Sequence, residues 1–279
     1  MIEILFPTIE RWHCIDSVLD NMGRADIPED IQILTAITAG DEYAEYVTKR
    51  LNNIFPKVRM IRMEGDGIDH DKLREEYYEK DEKPKHRDIR QKKLEKVYKT
   101  YNTLVEAADP DADFYWFMED DTLFPLDTYN RYRKAMEYID ADIITGISYY
   151  WHTMENHDRN FWNMECTRVF GDRDTSDETT FKLTMMRPQE KGLVQLGASG
   201  LGNVFCKAHT VRSWAPKMYQ NIGSGADISF FFNAYKNGYK AFGMWDLYLP
   251  HITKYSGGDI EIRGRIDKSL IPLLTSHAE

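Results

Sequence analysis

Short apolar runs alternate along the chain with longer segments in which apolar residues recur at helical spacing. The first run covers residues 2–6 and stops at Pro7, and the second covers 31–37; each precedes a segment that suits a helix. The pattern therefore predicts a chain that begins β-α-β-α. Further strands are predicted at 58–63, 114–118, 140–149, 204–206 and 239–249.

Two later segments have the spacing of helices. The first ends at Asp109-Pro110-Asp111 and the second, at 228–237, ends at Gly238. The apolar positions of the first helix are Leu94, Val97, Tyr98, Tyr101, Val105 and Ala108. The charged segment 64–85 is predicted to be a loop or a partly mobile helix, and 150–192 an insertion or a second-sheet region.

Three acidic residues, Glu119, Asp120 and Asp121, directly follow the predicted strand 114–118. An unbroken apolar run suits a central strand buried on both faces. Open α/β sheets bind ligands at the carboxyl ends of their strands, and Mg²⁺ and Mn²⁺ prefer carboxylate oxygens. The sequence therefore favours a hard-cation site at this position, with an acidic surface turn as the alternative.

Asp227 and His251 add polar chemistry at the ends of two other predicted elements. Asp227 opens the helix 228–237, where an aspartate also serves as a simple N-cap. His251 follows the strand 239–249. Taken alone, such a histidine is more often structural than functional.

The order of these features resembles the family 2 glycosyltransferases of the GT-A fold. In that family a strand ends in an acidic cluster, a Glu-Asp pair later opens a helix, a glycine follows the helix, and a histidine ends the next strand. Asp227 takes the place of the aspartate of the pair, Gly238 follows it by 11 residues, and His251 follows Gly238 by 13 residues.

Two further segments extend the resemblance, which covers most of residues 1–255. The opening ILFPTIER is similar to the first strand of the family, and Thr100-Tyr101-Asn102 to its Arg-Asn helix. The chain departs from the family pattern at Ala226, which replaces a glutamate, at Glu119, which replaces an aspartate, and at Tyr101, which replaces an arginine.

The resemblance implies an α/β protein of the GT-A type, with a Rossmann-like mixed central sheet flanked by helices and a smaller second sheet on the acceptor side. It implies one catalytic domain over 1–255 and a C-terminal extension over 256–279. Within the domain, 1–121 is expected to bind the nucleotide sugar and 122–255 to face the acceptor.

The implied activity is transfer of a hexosyl or pentosyl group from a nucleotide-diphosphate sugar to an acceptor hydroxyl, with inversion. Asp121 and His251 are expected to hold Mn²⁺ or Mg²⁺, because a cation stabilises the charge that develops on the leaving diphosphate. Asp227 is the expected general base, which takes the proton of the acceptor hydroxyl.

The resemblance and the residue chemistry also predict contacts for both substrates. Arginine forks suit phosphate, and glycines let the backbone approach a sugar closely. The expected donor-binding residues are Thr8, Asp41, Arg87, Arg90, Glu119 and Asp120. The expected acceptor-binding residues are Trp151, Gly200, Gly202 and Trp214.

The charge limits the choice of partners. The formal net charge of -10 argues against sequence-independent binding of nucleic acid, although 83–99 carries eight basic residues against two acidic ones. We therefore expect a saccharide or another small hydroxyl acceptor, and a nucleic acid or an anionic lipid stays open. Lys92, Lys96 and Lys99 are expected to form a solvated surface.

Cysteine spacing and the chain start bear on the compartment. The three cysteines lack CxxC spacing, which excludes a disulfide framework and a cysteine-type zinc site. The N-terminal segment lacks the apolar core of a secretory signal, and no apolar run approaches the roughly 20 residues that span a bilayer. The sequence therefore predicts a cytoplasmic protein without a transmembrane segment.

Three other functions stay open at this point. A sugar-phosphate nucleotidylyltransferase is expected to have a glycine-rich basic loop after the first strand, and the segment PTIERWH has none. A retaining GT-A transferase fits the same residues. An inactive carbohydrate-binding relative is suggested by Ala226. The GxxGxG segment 197–202 is not a dinucleotide fingerprint, because a predicted strand follows it.

Overall fold

A computed structural model describes most of the chain. The described residues are 1–64, 83–148, 164–169, 181–185, 192–212, 226–254, 260–263 and 270. For 83–94, 148, 164–169, 181–185, 253–254 and 260–263 it describes the backbone alone. Within these ranges no helix is both long and apolar enough to cross a bilayer.

Helices and strands alternate through the first half and give way to a strand-rich second half. The first half contains β1 (Ile2–Ile9), α1 (Ile15–Arg24), β2 (Gln32–Thr38), α2 (Asp41–Ile54), β3 (Lys57–Arg62), α3 (Lys83–Ala107) and β4 (Phe114–Met118). The second half contains α4 (Thr128–Ile139), β5 (Ile143–Ser148), β6 (Met164–Val169), β7 (Phe181–Met185), β8 (Leu193–Gln195), β9 (Asn203–Lys207), α5 (Ala208–Arg212), α6 (Ala226–Lys236), β10 (Ala241–Leu249), β11 (His251–Lys254) and β12 (Ile260–Arg263).

Eight strands form a mixed central sheet in the order β3-β2-β1-β4-β9-β5-β10-β8. Strands β1 to β4 are parallel, β9 runs antiparallel to both β4 and β5, and β10 is parallel to β5. The pairs β6-β7 and β11-β12 form two separate two-stranded sheets. The predicted mixed sheet flanked by helices is confirmed, and β4 lies in its interior.

The core consists of an apolar layer on each face of this sheet. Helices α1, α2 and α4 pack on one face, and α3, α5 and α6 on the other. Successive residues of β4 point to opposite faces, so Trp116 and Met118 join one layer and Tyr115 and Phe117 the other. This burial on both faces explains why β4 reads as an unbroken apolar run.

Helix α3 begins at Lys83, so the end of the segment 64–85, predicted to be a loop or a partly mobile helix, is helical; residues 65–82 lie outside the described residues. The buried stripe of α3 differs from the prediction. Val97, predicted on the buried stripe, is 37% exposed, whereas Leu104 is fully buried. The buried stripe through Tyr98, Tyr101, Leu104 and Ala108 steps by three and four residues, and Val97 lies beside it.

The segment 150–192 was predicted to be an insertion or a second-sheet region, and strands β6 and β7 pair antiparallel within it as a separate two-stranded sheet. The structure differs from the prediction at residue 251. His251, predicted to close the strand 239–249, instead begins β11 after Pro250. It pairs with Arg263 of β12 and forms an isolated bridge with Thr122.

Candidate active site

The acidic turn after β4 lies beside the end of β1. The two strands run parallel, with Ile2 opposite Phe114, so their carboxyl ends reach the same edge of the sheet. On the other side, the Glu119 backbone N–H donates to the Gly202 carbonyl at 3.0 Å. The turn is therefore held between the segment that follows β1 and the segment that precedes β9.

Asp120 points into the protein and is 3% exposed. Its Oδ2 accepts hydrogen bonds from Thr8 Oγ1 at 2.7 Å and from the Ile9 N–H at 2.9 Å, and its Oδ1 accepts from Arg11 Nη1 at 2.7 Å. Thr8 is 1% exposed and also lies 2.9 Å from the Tyr43 hydroxyl. Thr8 and Asp120, two of the six residues predicted to contact the donor, therefore bind each other in this structure.

Glu119, Asp121 and His251 form a compact cluster of possible metal ligands. Each offers one ligand atom, all of these atoms lie within 4.8 Å of one another, and all three residues are half-buried. Thr122 joins two of them, because its Oγ1 lies 3.0 Å from His251 Nε2 and donates to Asp121 Oδ1 at 3.4 Å. The cluster thus combines carboxylate and imidazole donors at the carboxyl end of β4.

Backbone hydrogen bonds bring His251 to this cluster from the far end of the chain. The Ile252 N–H donates to the Asp121 carbonyl at 2.8 Å, and the Leu123 N–H donates to the Pro250 carbonyl at 2.9 Å. These bonds attach the start of β11 to the acidic turn. The position of His251 is therefore set by the backbone.

The cluster fits a divalent cation such as Mn²⁺ or Mg²⁺. Carboxylate oxygens and an imidazole nitrogen are suitable ligands, and two ligands of one small ion lie at most about 4 Å apart. The possible ligand atoms of Glu119, Asp121 and His251 lie within 4.8 Å of one another, which is close to that span. In addition, the buried Nδ1 of His251 has no hydrogen-bond partner within the described part of the protein.

Arg11 places a positive charge directly in the acidic turn. Its Nη1 lies 2.7 Å from Asp120 Oδ1 and 2.5 Å from Asp121 Oδ2. Arg11 lies in the ILFPTIER segment, but no pattern in the sequence predicted a role for it. The sequence shows only a single arginine just after a predicted strand. Its role becomes evident once β1 is known to lie beside β4.

The electrostatics of the acidic turn differ from residue to residue. Burial raises the pKa of Glu119 to about 8, and the charges of Asp121 and Asp227 contribute to the rise, against the Tyr101 hydrogen bond and Arg11. Burial also acts to raise the pKa of Asp121, but Arg11 and His251 outweigh it and hold that pKa below its usual value. Asp121 is therefore the carboxylate most readily ionised.

Gly202 allows the acidic turn and the segment before β9 to approach closely. A Cβ at this position would lie 2.7 Å from Thr122 Oγ1 and 3.3 Å from Glu119 Oε2, too close for an unchanged structure. The close approach expected toward an acceptor sugar is here made to the protein's own Thr122 and Glu119. Gly200, two residues earlier, is half-buried.

Asp227 is the second residue of α6 and is half-buried. Its Oδ1 accepts a hydrogen bond from the Ile228 N–H at 2.8 Å, so one oxygen serves the first turn of the helix. Burial, first of all, and the charge of Glu119 raise the pKa of Tyr101, and Asp227 contributes to the same rise. Asp227 thus acts electrostatically on both Tyr101 and Glu119.

The remaining predicted residues are less closely tied to the cluster. Asp41 begins α2, and its carboxylate is 93% exposed and pairs with Arg62 at 2.7 Å. Arg87 and Arg90 lie in the part of α3 where the backbone alone is described. Trp151 and Trp214 lie outside the described residues.

Known proteins resemble this chain in structure rather than in sequence. No known protein family matches the chain, and no curated protein matches it. Among solved structures, TarS of S. aureus is 11% identical, with a TM-score of 0.50, over 87% of this chain. The fold is of the GT-A type. At 11% identity the likeness to TarS shows the fold alone, and the chain spans 34% of the TarS chain.

Two further solved structures overlap at lower TM-scores. TarS 1-349 in complex with UDP-GlcNAc is 11% identical, with a TM-score of 0.48, over 96% of this chain and 60% of its own. A197 from STIV is 11% identical, with a TM-score of 0.43, over 95% of this chain and 97% of its own.

Proposed function

We propose that this GT-A protein is a metal-dependent glycosyltransferase that moves a sugar from a nucleotide-diphosphate sugar to an acceptor hydroxyl. The observation that carries the proposal is the convergence of Glu119, Asp121 and His251 at the carboxyl end of β4. Ligands of open α/β sheets bind at this edge. We propose that the donor binds on the side of 1–121 and the acceptor on the side of 122–255.

Asp121 and His251 are the proposed cation ligands, and Glu119 joins them because its carboxylate lies in the same cluster. A Mn²⁺ or Mg²⁺ ion bound there would stabilise the negative charge on the leaving nucleoside diphosphate. Asp120 and Thr8 take a supporting role, since their polar atoms hold each other and Arg11. This role replaces the direct donor contact expected from the sequence.

Asp227 is the proposed general base of an inverting transfer. The acceptor oxygen attacks the anomeric carbon from the face opposite the leaving group, its proton passes to Asp227, and the bond to the leaving phosphate breaks. Support comes from the half-buried position of Asp227 at the start of α6 and its electrostatic effect on Glu119. The hydrogen bond from the Ile228 N–H to Asp227 Oδ1 fixes the orientation of the carboxylate.

The proposed acceptor is a saccharide or another small hydroxyl compound. Gly200 belongs to the segment before β9 that reaches the acidic turn, and Gly202 in the same segment lies against Glu119. An acceptor beside this segment would lie near both the cation ligands and the proposed base. Trp151 and Trp214 stay predicted acceptor contacts.

A donor screen tests the proposal. Thermal unfolding is followed with UDP-, GDP-, CDP- and dTDP-sugars, with and without Mn²⁺, because a ligand that binds the native state raises the midpoint. We expect one nucleotide class to raise it in a Mn²⁺-dependent way and to be hydrolysed slowly without acceptor. Absence of both effects for every donor would contradict the proposed function.

A further inference from the structure

Arg11 lies between two carboxylates and offers one nitrogen to both. Its Nη1 is 2.7 Å from Asp120 Oδ1 and 2.5 Å from Asp121 Oδ2. The Arg11 side chain is 28% exposed, against 4% for Asp120 and 20% for Asp121. The Arg11 guanidinium therefore contacts the buried Asp120 on one side and the more exposed Asp121 on the other.

The backbone around Arg11 keeps the side chain at this place. The Arg11 N–H donates to the Ile9 carbonyl at 2.7 Å, and the Arg11 carbonyl accepts from the N–H groups of Cys14 and Ile15 at 3.2 and 3.1 Å. These bonds attach Arg11 to the start of α1. The remaining oxygen of Asp120 is taken by Thr8 and Ile9, so Asp120 itself has little freedom to move.

Asp121 consequently has two competing uses. Its Oδ2 forms an ion pair with Arg11 Nη1, and the same carboxylate belongs to the cluster with Glu119 and His251. A divalent cation on Asp121 would lie close to the guanidinium, and like charges at such short range repel. The arginine and the cation therefore compete for the carboxylate.

We propose that Arg11 is a positioning residue that sets the cation affinity of the Glu119, Asp121 and His251 cluster. Without a cation, Arg11 holds the Asp121 carboxylate in its orientation. When a cation binds, Nη1 leaves Asp121 and keeps its bond to Asp120. This inference rests on the proposed function, because the cation is the one that the transfer reaction requires.

The test measures Mn²⁺ binding without donor, by electron paramagnetic resonance of the free ion and by calorimetry. Arg11→Met removes the competing charge, and we expect it to tighten Mn²⁺ binding about tenfold or more. Arg11→Lys keeps a charge but loses the planar fork, and its affinity should lie between the two.

Arg50→Met is the matched control. Arg50 also bridges two aspartates, with Nη1 2.6 Å from Asp16 Oδ1 and Nη2 2.5 Å from Asp20 Oδ1, and its side chain is 29% exposed. It connects α1 and α2 rather than the acidic turn. Its removal should leave Mn²⁺ affinity unchanged.

Arg11→Met leaves the buried Asp120 without its counter-charge, which destabilises the folded protein. The effect of Arg11 is therefore also measured in the Asp120→Asn variant. In Asp120→Asn this charge is gone, so the double variant Arg11→Met with Asp120→Asn should bind Mn²⁺ about tenfold or more tightly than Asp120→Asn alone. A purely structural arginine would change the unfolding midpoint in both backgrounds without tightening Mn²⁺ binding.

The outcomes separate this inference from the proposed function. Wild-type protein that binds Mn²⁺ and nucleotide sugar, with equal or weaker Mn²⁺ binding in both variants without Arg11, overturns the role of Arg11 and leaves the transferase intact. Wild-type protein that binds nucleotide sugar but no Mn²⁺ overturns both the metal site and the role of Arg11.

Discussion

The Tyr101 hydroxyl donates a hydrogen bond to Glu119 Oε1, with 2.7 Å between the two oxygens. Tyr101 lies in α3 and Glu119 directly after β4, so the bond joins a helix on one face of the sheet to the acidic turn. Both residues depart from the family pattern that the sequence resembles. The structure shows that the two departures are in contact.

Tyr101→Phe should weaken both the fold and the cation site. Loss of a hydrogen bond to a partly buried carboxylate is expected to lower the free energy of unfolding by about 1–2 kcal/mol. Loss of the group that orients Glu119 should weaken Mn²⁺ binding about tenfold. Denaturant unfolding and calorimetric titration check the two effects, and unchanged Mn²⁺ affinity would contradict the role of Tyr101 in orienting Glu119.

Gly202→Ala should destabilise the protein by about 1–3 kcal/mol, because the new methyl group overpacks the space beside Thr122. Gly23→Ala is the matched control. A Cβ at Gly23 in α1 meets Ile54 at 3.5 Å, an ordinary contact, and alanine favours a helix by about 0.5–1 kcal/mol. If denaturant unfolding gave both variants the same stability, the close packing at Gly202 would be refuted.

Chelation should abolish donor turnover, and Mn²⁺ or Mg²⁺ should restore it. Asp121→Asn and His251→Ala should each weaken Mn²⁺ binding by at least about tenfold, since each removes a proposed ligand. His209→Ala is the control, because His209 is exposed and faces Asp142. Full turnover in excess EDTA would contradict the metal-dependent mechanism.

Asp227→Asn should lower kcat by roughly 10²-fold or more with little change in donor affinity, because the base acts in the transition state. Glu42→Gln, at an exposed position in the first turn of α2, is the comparison for a purely helix-stabilising role. Steady-state kinetics and thermal unfolding separate the two. An Asp227→Asn protein with lower stability and full specific activity would show that Asp227 only caps α6.

Turnover should change little between about 50 and 200 mM salt if the acceptor is a small saccharide, since binding to a chain of phosphates weakens steeply with salt. Lys99 is exposed on α3 and Lys96 is half-buried beside it. Neutralising Lys92, Lys96 and Lys99 should therefore leave turnover unchanged. A steep salt dependence that disappears in this triple variant would indicate a nucleic acid or an anionic lipid surface as acceptor.

The sequence predicted most strands because their burial leaves a local signature. The bounds of β4 match the apolar run 114–118, which Asp113 and Glu119 limit on either side. The stripe on α3 was predicted through Tyr98 and Tyr101, although Val97 is exposed and Leu104 buried. Spacing along a helix defines a buried face, while neighbouring elements decide how wide that face is.

The acidic cluster was also readable from the sequence, since three acids followed a buried strand. His251 reaches the same cluster through an isolated β-bridge with Thr122. No local sequence pattern connects these two residues. The resemblance to the GT-A glycosyltransferases suggested His251, because that family has a histidine at this spacing from the glycine that Gly238 matches. The contact of His251 with Thr122 Oγ1 is a result of the tertiary structure.

The sequence by itself determined the β-α-β-α order at the start of the chain, the apolar run of β4 and the acidic residues after it, because each depends on neighbours along the chain. The tertiary structure alone decided that Arg11 bridges Asp120 and Asp121 and that Gly202 lies against Thr122. These contacts join segments about 80 to 110 residues apart. They exist because β4 pairs with β1 on one side and β9 on the other, and strand order depends on the packing of the whole sheet.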